Sequence, residues 1–253
     1  MDLGLKGRKV IINGGARGLG FAALKLFVAE GCDVAFFGRD SEKVAAAKDA
    51  LSSSGAKVVG EAFDMAADHQ AYRDWLISAA DQLGGCDIFI HNASSSGAGK
   101  TADWQITFDL DMMGAVGGVE ALTPALTASD VGSIILMSST AAFETFVAPQ
   151  AFNAIKAAII TYGSQLAQAL APQGIRVNCV SPGPIEYPGG NWEMIRGVMP
   201  DFYNGTKAAM PFGRLGEPDE VARAVVFLAS PAASYISGTN LVVDGSFTKR
   251  VQF

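Results

Sequence analysis

The chain has 253 residues, with 19 Lys and Arg against 25 Asp and Glu, and its formal net charge is −6 at pH 7. This length suits one α/β domain, although two smaller domains would also fit, and a core of that size needs no disulfide or metal to hold it together. The negative charge argues against nucleic-acid binding, because phosphates require clustered Lys and Arg.

The cysteines Cys32, Cys86 and Cys179 and the histidines His69 and His91 form neither a CxxC pair nor a spacing typical of metal ligands. No apolar run reaches the roughly 18 residues that span a bilayer, and no signal-peptide core opens the sequence. We therefore expect reduced thiols, no metal, no membrane partner and a cytoplasmic location.

Short apolar runs alternate with longer stretches of helical periodicity. The predicted strands are 9–13, 33–38, 57–63, 87–92, 133–138, 176–181 and 240–243. The predicted helices lie near 18–30, 41–53, 68–83, 103–127, 150–170 and 218–229. This alternation predicts right-handed βαβ units, and strands that are apolar throughout indicate cover on both faces. We predict one α/β domain over 1–253, a Rossmann fold with a doubly wound seven-stranded parallel sheet and helices on both faces.

A glycine-rich turn joins the first strand to the first helix. Its glycines allow a tight turn and a close approach to a pyrophosphate, and the free N–H groups at the helix start attract the anion. A flexible turn can share this pattern, but its place between a strand and a helix favours a phosphate site. The residues predicted here to bind a dinucleotide are Asn13, Gly14, Arg17, Gly18, Leu19 and Gly20.

The glycine spacing Gly-x-x-x-Gly-x-Gly, the pair Asn92-Ala93 after the fourth strand, Lys156 in a helix and Pro182-Gly183 after the sixth strand occur together. With these motifs the chain resembles the short-chain dehydrogenase/reductase family over nearly its whole length. The resemblance implies hydride transfer with a nicotinamide nucleotide. The family has Thr where this chain has Asn13, a mild change because Asn also makes the local bonds of a turn.

The end of the second strand bears on the choice of nucleotide. An NAD-preferring site places a carboxylate near position 38 to accept from the ribose hydroxyls, and Gly38 has none. Arg17 and Arg39 flank the expected ribose position, and two guanidinium groups suit a 2′-phosphate. The sequence favours NADP(H), unless both arginines are ordinary surface residues; Asp40 could weaken the preference.

Further nucleotide contacts follow from the resemblance. Asp64 is expected to accept from the adenine amino group, although it could equally cap the next helix, and Met65 after it is also predicted to contact the cofactor. Asn92 and Ala93 are expected to line the cofactor, and His91 beside them is interpreted as a packed residue. After the sixth strand, the nicotinamide carboxamide is expected to meet Pro182, Gly183 and Ile185.

The predicted reaction centre lacks its usual acid. By resemblance, Ser139 binds the substrate oxygen, and the family's tyrosine stands thirteen residues later, where this chain has Phe152. Phenylalanine cannot exchange a proton. Lys156 lies one turn further on the same helix face. The resemblance implies that it binds the nicotinamide ribose. Its second role in the family is to lower the pKa of the tyrosine, and that role is lost here because the tyrosine is absent.

A second relay position is also changed, since Asp111 stands where the family has Asn. Peroxisomal 2,4-dienoyl-CoA reductases also lack the tyrosine, and Asp109, Asp111 and Gly114 resemble their pattern; those enzymes reduce a conjugated acyl thioester and protonate carbon through an acid-held water. Loss of a general acid costs ~10²–10⁴ in rate. The candidates for a replacement proton donor are Asp111, if burial raises its pKa, Tyr187 and Glu144.

The long connection near 184–216 is predicted to be a substrate lid with a short helix near 192–208. The residues that suggest an apolar or aromatic pocket are Phe143, Phe146, Tyr187, Trp192 and Met199. The resemblance also implies a homotetramer built through the helices near 103–127 and 150–170 and the C-terminal end.

Taken together, these features predict an NADP(H)-dependent oxidoreductase that reduces a carbonyl or activated C=C bond of a small apolar or acyl-thioester substrate without the usual tyrosine. The residues predicted for catalysis are Ser139, Lys156, Asp111 and Phe152. Two alternatives stay open: an NADP(H)-binding protein with degraded chemistry, and non-redox chemistry on the same scaffold.

Overall fold

The computed structural model describes residues 2–53, 55–95, 102–145 and 149–251. Seven parallel strands form one sheet in the order β3-β2-β1-β4-β5-β6-β7. The strands are β1 (Lys9–Asn13), β2 (Asp33–Gly38), β3 (Val58–Ala62), β4 (Ile88–His91), β5 (Ser133–Met137), β6 (Arg176–Pro182) and β7 (Asn240–Val243). The strand order reverses between β1 and β4, and ligands of such sheets bind beyond the carboxyl ends of the strands at this point.

Helices cover both faces of the sheet. They are α1 (Gly18–Ala29), α2 (Ser41–Ser52), α3 (His69–Leu83), α4 (Trp104–Thr107), α5 (Gly114–Thr127), α6 (Ala151–Leu170), α7 (Asn191–Val198), α8 (Pro200–Ala209) and α9 (Pro218–Ala229). None of the described helices is long and apolar enough to cross a membrane.

Two hydrophobic cores lie on opposite faces of the sheet because side chains alternate along each strand. Val10 and Ile12 of β1 pack in one core, with Phe27 of α1 and Val225 of α9. Ile11, between them, packs in the other core, which includes buried residues of α3, α5 and α6. This arrangement confirms the predicted seven-stranded α/β fold, and each strand begins and ends within one residue of its predicted bounds.

Two helical predictions need correction. The helix predicted near 103–127 is interrupted by a π-helical segment at Phe108–Met113, which lies between α4 and α5; such segments often occur at functional sites. The short helix predicted near 192–208 is instead two helices. Met199 separates α7 from α8, and Pro200 starts the second, a position that suits proline because its missing N–H needs no partner there.

Candidate active site

A cavity of about 840 Å³ opens at the carboxyl ends of the strands, within the usual range for small-molecule sites. The predicted site residues that line it are Gly14, Arg17, Leu19, Arg39, Asp64, Met65, Asn92, Ala93, Ser139, Phe152, Lys156, Pro182, Gly183 and Ile185. Asn13, Gly18, Gly20 and Asp111 are not among its lining residues.

The side chain of Asn13 points into the protein and links the glycine-rich turn to the end of β4. Its side chain is fully buried. Its Oδ1 accepts hydrogen bonds from the N–H groups of Asn92 (2.6 Å) and Ala93 (2.7 Å), and its Nδ2 donates to the Tyr72 hydroxyl (3.0 Å). Its side chain therefore fixes the end of β4 beside the turn. An aliphatic side chain could not make these bonds, which is why a polar residue is needed at this position.

At three positions of this turn a glycine is required, because neighbouring atoms come too close for a Cβ. Gly14 has φ +72°, and a Cβ there would come 3.0 Å from Ala93 Cα. Gly18 has φ +56°, and a Cβ there would come 2.7 Å from the ring of Tyr187. At Gly20 a Cβ would collide with the carbonyl oxygen of Gly14. The turn thus packs against β4 on one side and the segment after β6 on the other, at the start of α1.

The end of β2 leaves no room for a carboxylate at position 38. A Cβ on Gly38 would come within 2.8 Å of Ala16 Cβ and 3.2 Å of Val44 Cγ2. Asp40, two residues later, is the N-cap of α2 and accepts from the Lys43 backbone N–H at 3.1 Å. It also pairs with the Lys43 ammonium at 2.5 Å. Its negative charge is therefore largely compensated by Lys43.

Two arginines border the cavity at the same end. Arg17 donates to the carbonyl oxygen of Gly189 at 2.8 Å, and Arg39 is exposed. Asp64 also faces the cavity and accepts from the N–H of Ala66 at 3.1 Å. It does not cap the next helix, because Asp68 is the N-cap of α3. Of the two readings of Asp64 from sequence, helix capping is therefore wrong.

At the opposite end, Lys156 and Asp111 form a buried ion pair. Lys156 Nζ lies 2.7 Å from Asp111 Oδ1, and their side chains are 2 % and 0 % exposed. The ammonium also donates to the carbonyl oxygen of Met137 at 2.8 Å. Ser94 Oγ donates to Asp111 Oδ1 and the Ser95 N–H donates to Oδ2, both at 2.8 Å. Both carboxylate oxygens therefore have partners.

These contacts set the charge of Asp111. Burial alone pushes the pKa of this carboxyl up, but the charge of Lys156 and the hydrogen bonds from Lys156, Ser95 and Ser94 outweigh it and hold that pKa below its ordinary value. Asp111 is therefore a carboxylate near neutral pH. The condition under which Asp111 was a candidate donor, a pKa raised by burial, is not met, because the Lys156 ammonium pairs with the carboxylate at 2.7 Å.

Phe152, at the position of the missing tyrosine, lies near the Lys156 ammonium. Phe152 is half-buried and lines the cavity, and Lys156 Nζ lies 5.6 Å from the centre of its ring. Ser139 also lines the cavity; its Oγ accepts from the N–H of Ala141 at 3.2 Å, which leaves its O–H proton for another partner. Ser138 points the other way and donates to the carbonyl oxygen of Lys156 at 2.8 Å, which ties β5 to α6.

His91 lies close to this pair but is not an acid. It is fully buried, and burial followed by the charge of Lys156 lowers its pKa to about 3. Its Nδ1 lies 2.6 Å from Asn13 Nδ2, which donates to it. A neutral, packed imidazole fits the interpretation from sequence.

The segment 184–216, predicted to be a lid, lines one side of the cavity, mostly with apolar side chains. Its lining residues are Pro184, Ile185, Tyr187, Asn191, Trp192, Met194, Ile195, Met199 and Phe202. Trp192 of α7 and Phe202 of α8 stack, with ring centres 6.0 Å apart. Glu144 also faces the cavity, whereas Phe143 is not among the lining residues and packs under the Arg250 guanidinium at 3.6 Å. Phe146 lies outside the described residues.

Within the described residues no group of three or more His, Cys, Asp or Glu could hold a metal. The three cysteines are free and buried. Burial raises the pKa of Cys32 and of Cys179 to about 12, so neither is a reactive thiolate.

Sequence reasoning missed Ser94, Ser95 and Met137 as partners of the ion pair. The only signal for Ser94 was that it departs from the family pattern at the end of β4. The backbone groups of Ser95 and Met137 carry no sequence signal, because any residue there has the same N–H and C=O.

Comparisons with known proteins identify the family of the chain. Residues 14–248 match a family model described as enoyl-(acyl carrier protein) reductase. An isoepoxydon dehydrogenase of Penicillium expansum is 40% identical over 100% of this chain and 99% of its own length. A 3-oxoacyl-(acyl-carrier-protein) reductase of Chlamydia pneumoniae is 31% identical over 98% of this chain and 100% of its own.

Among solved structures, the L-sorbose reductase of Gluconobacter frateurii, complexed with NADPH and L-sorbose, superposes with a TM-score of 0.89 at 29% identity. The match covers 99% of this chain and 100% of that one. The chain therefore belongs to the short-chain dehydrogenase/reductase family, whose members are oxidoreductases that use a nicotinamide nucleotide.

Proposed function

We propose that this protein is an NADP(H)-dependent oxidoreductase that reduces a carbonyl or activated C=C bond without a catalytic phenol. The observation that carries the proposal is the buried Lys156–Asp111 pair, which holds an ammonium group beside Phe152 and the cavity. When bound, the nucleotide supplies the hydride; the protein has to hold it, orient the acceptor and provide a proton.

The residues present suit a phosphorylated nucleotide. The start of α1 at the glycine-rich turn offers N–H groups and a positive dipole end to the pyrophosphate. Arg17 and Arg39 border the cavity where a 2′-phosphate would lie, and Gly38 has no room for the carboxylate of an NAD-type site. Because Lys43 compensates Asp40, that carboxylate opposes the 2′-phosphate little. The L-sorbose reductase that the chain resembles was solved with NADPH.

Ser139 polarises the substrate oxygen, because its O–H proton has no acceptor among the described residues and its Oγ is held by the N–H of Ala141. Lys156 has three N–H bonds. Two point at Asp111 and at the carbonyl of Met137, which directs the third away from both. Lys156 lines the cavity, so this third N–H serves the nicotinamide ribose or the reacting end of the substrate.

The same contacts support the Lys156 ammonium as the proton source for the reduced substrate, directly or through a water. Asp111 is held as a carboxylate by its neighbours, Phe152 has no exchangeable proton, and Lys156 lines the cavity. Asp111 then has a positioning role, since its carboxylate pairs with the ammonium at 2.7 Å and holds it in place. Glu144 and Tyr187 remain the alternative donors, because both line the cavity.

The cavity wall favours a small apolar or acyl-thioester substrate. Aromatic and thioether side chains of the lid line the same cavity as Phe152; they are Tyr187, Trp192, Met194, Met199 and Phe202. The named relatives include an isoepoxydon dehydrogenase and an acyl-carrier-protein reductase. We assign no single substrate from these names, and we propose that residues 184–216 act as the lid of one domain that extends over 1–253.

A homotetramer in the cytoplasm completes the proposal. Trp104 and Phe108 are 61% and 42% exposed and lie in or beside α4, within the region expected to contact other subunits. Burying them between subunits would remove apolar surface from water. The free thiols suit a reducing compartment.

The test is turnover. Purified protein with NADPH is offered ketones, enones and enoyl thioesters, and the loss of NADPH absorbance is followed, with NADPH affinity measured by calorimetry. Tight binding with turnover on one class supports the proposal. Tight binding without turnover across all classes favours the second candidate, a binding protein with degraded chemistry, for which Phe152 is the observation. No binding at millimolar NADPH rejects both.

A further inference from the structure

The lid helix α7 has no buried side chain of its own, although Trp192, Met194 and Ile195 on it line the cavity. Apolar burial is what normally fixes a helix in place. Trp192 and Ile195 are only partly buried, so α7 opens at little cost in free energy unless polar contacts also hold it. The position of this part of the cavity wall therefore depends on the polar contacts of α7.

Those contacts converge on Glu186, which lies just after β6. Arg196 Nη1 of α7 lies 2.7 Å from Glu186 Oε1, and the hydroxyl of Tyr203 on α8 donates to Oε2 at 2.8 Å. The Arg196 guanidinium also sits 6.0 Å from the centre of the Tyr203 ring. One carboxylate thus contacts both lid helices, one through each oxygen.

Glu186 itself is attached to the rigid part of the fold. Its N–H donates to the carbonyl oxygen of Gly216 at 2.9 Å, and the N–H of Gly216 donates to the carbonyl oxygen of Pro184 at 2.9 Å. These bonds join the segment after β6 to the segment before α9 as a short parallel bridge. The carboxylate is therefore a fixed point against which the two helices are held.

The aromatic pair of the cavity wall lies next to these contacts. Phe202 precedes Tyr203 in α8, and Trp192 lies one turn before Arg196 in α7. Trp192 and Phe202 stack with an interplanar angle of 10°. Any shift of α7 against α8 would break this stack and change the width of the cavity.

We propose that Glu186 is a positioning residue for the substrate cavity, which clamps α7 and α8 together and so sets the place of Trp192 and Phe202. The inference rests on the proposed substrate cavity and adds the residue that shapes it. A second tie supports the same segment: Gly189 donates to Glu193 Oε2 of α7 at 2.7 Å, and its carbonyl accepts from Arg17 of the glycine-rich turn.

The experiment is amide hydrogen exchange on the full-length protein, with and without NADPH, read out on peptides that cover 191–209. Glu186→Gln keeps an acceptor for Tyr203 but removes the charge that Arg196 meets. Tyr203→Phe keeps the ring under Arg196 but removes the hydrogen bond. We expect exchange in 191–209 to become about tenfold faster in each variant, with α9 unchanged.

Glu120→Gln is the matched control, because Glu120 also pairs with an arginine (Arg73, 2.5 Å) but lies on α5; its 191–209 peptides should exchange like the wild type. Unchanged exchange in both lid variants, or equal acceleration in α9, would overturn the proposal. Exchange needs no turnover, so this result stands apart from the activity and NADPH-binding tests of the proposed function.

Discussion

Lys156 Nζ and Asp111 Oδ1 lie 2.7 Å apart in a part of the fold from which water is almost excluded. The two residues come from different elements, a π-helical segment and α6. Ser94, Ser95 and Met137 provide the remaining hydrogen bonds of both groups. A buried pair of this kind adds little net stability when intact, but either partner left alone is a buried, uncompensated charge.

The first prediction concerns that asymmetry. Asp111→Ala should lower the free energy of unfolding by about 3–5 kcal/mol, because the Lys156 ammonium loses its counter-charge. The double variant Asp111→Ala/Lys156→Met should lose less than the sum of the two single variants, since no charge remains buried. Denaturant unfolding measures both. Asp109→Ala is the control, because it removes a carboxylate from the same π-helical segment. That carboxylate accepts a hydrogen bond from Gln105 rather than pairing with a buried ammonium, so its loss should lower the free energy of unfolding far less. Additive losses in the double variant would show that the two groups are not coupled.

How far the sequence alone leads is illustrated by Asp111. Its place near Lys156 followed from the family resemblance, but its ionisation did not. The pKa depends on a backbone N–H at Ser95 and on a hydroxyl at Ser94, and the sequence does not show which way these groups point. The strands, in contrast, were predictable because an apolar run between glycine or helical segments leaves few alternatives.

Some helix boundaries could be predicted from the sequence and others could not. Proline at position 200 is a known signal for a helix start, so the division of the lid into α7 and α8 was available from sequence. The π-helical segment at Phe108–Met113 was not, because it involves the same residue types as an α-helix. Likewise, the inward direction of the Asn13 side chain depends on where β4 ends in space.

The second prediction concerns pH. His91 is neutral in the folded state with a pKa of about 3, against 6.5 when exposed. Between these values the unfolded chain binds one more proton, so stability falls as pH falls, by roughly 1.4 kcal/mol per pH unit. His91→Gln should flatten this dependence in thermal or denaturant unfolding between about pH 6 and about pH 4. Asp111, whose pKa is held below its ordinary value, loses its contribution only at lower pH.

The other histidine provides the comparison for this result. His69 starts α3, and its side chain is 41% exposed, so His69→Gln is the control for replacing a histidine that is not buried. If His69→Gln and His91→Gln flatten the curve to the same degree, the buried imidazole is not its cause.

The third prediction concerns nucleotide choice. Arg39 is exposed at the cavity edge, and no hydrogen bond or ion pair engages it in the part of the chain that the structure describes. Arg39→Ala should weaken NADPH binding about tenfold or more, because a charge-assisted bond to the 2′-phosphate is lost. NADH, which lacks that phosphate, should bind with little change. Calorimetry of both nucleotides gives the ratio.

Arg223→Ala is the control for the loss of one positive charge, because it removes an exposed arginine from α9. That variant should bind both nucleotides like the wild type. If Arg39→Ala weakens NADH and NADPH equally, Arg39 contacts something other than the 2′-phosphate and the preference has another source.

The fourth prediction concerns the missing phenol. Phe152→Tyr places a hydroxyl beside the Lys156 ammonium, which lies 5.6 Å from the present ring centre. A nearby positive charge favours the phenolate and so tunes the hydroxyl for proton transfer. If Ser139 and Lys156 are otherwise in place, carbonyl reduction should rise by about 10²-fold or more in kcat/KM, with NADPH affinity unchanged. Phe152→Leu, which has neither ring nor hydroxyl, should show no such gain. A tyrosine variant slower than the wild type would mean that the phenylalanine ring itself shapes the reaction, because the hydroxyl would then displace the substrate or the water that Lys156 serves.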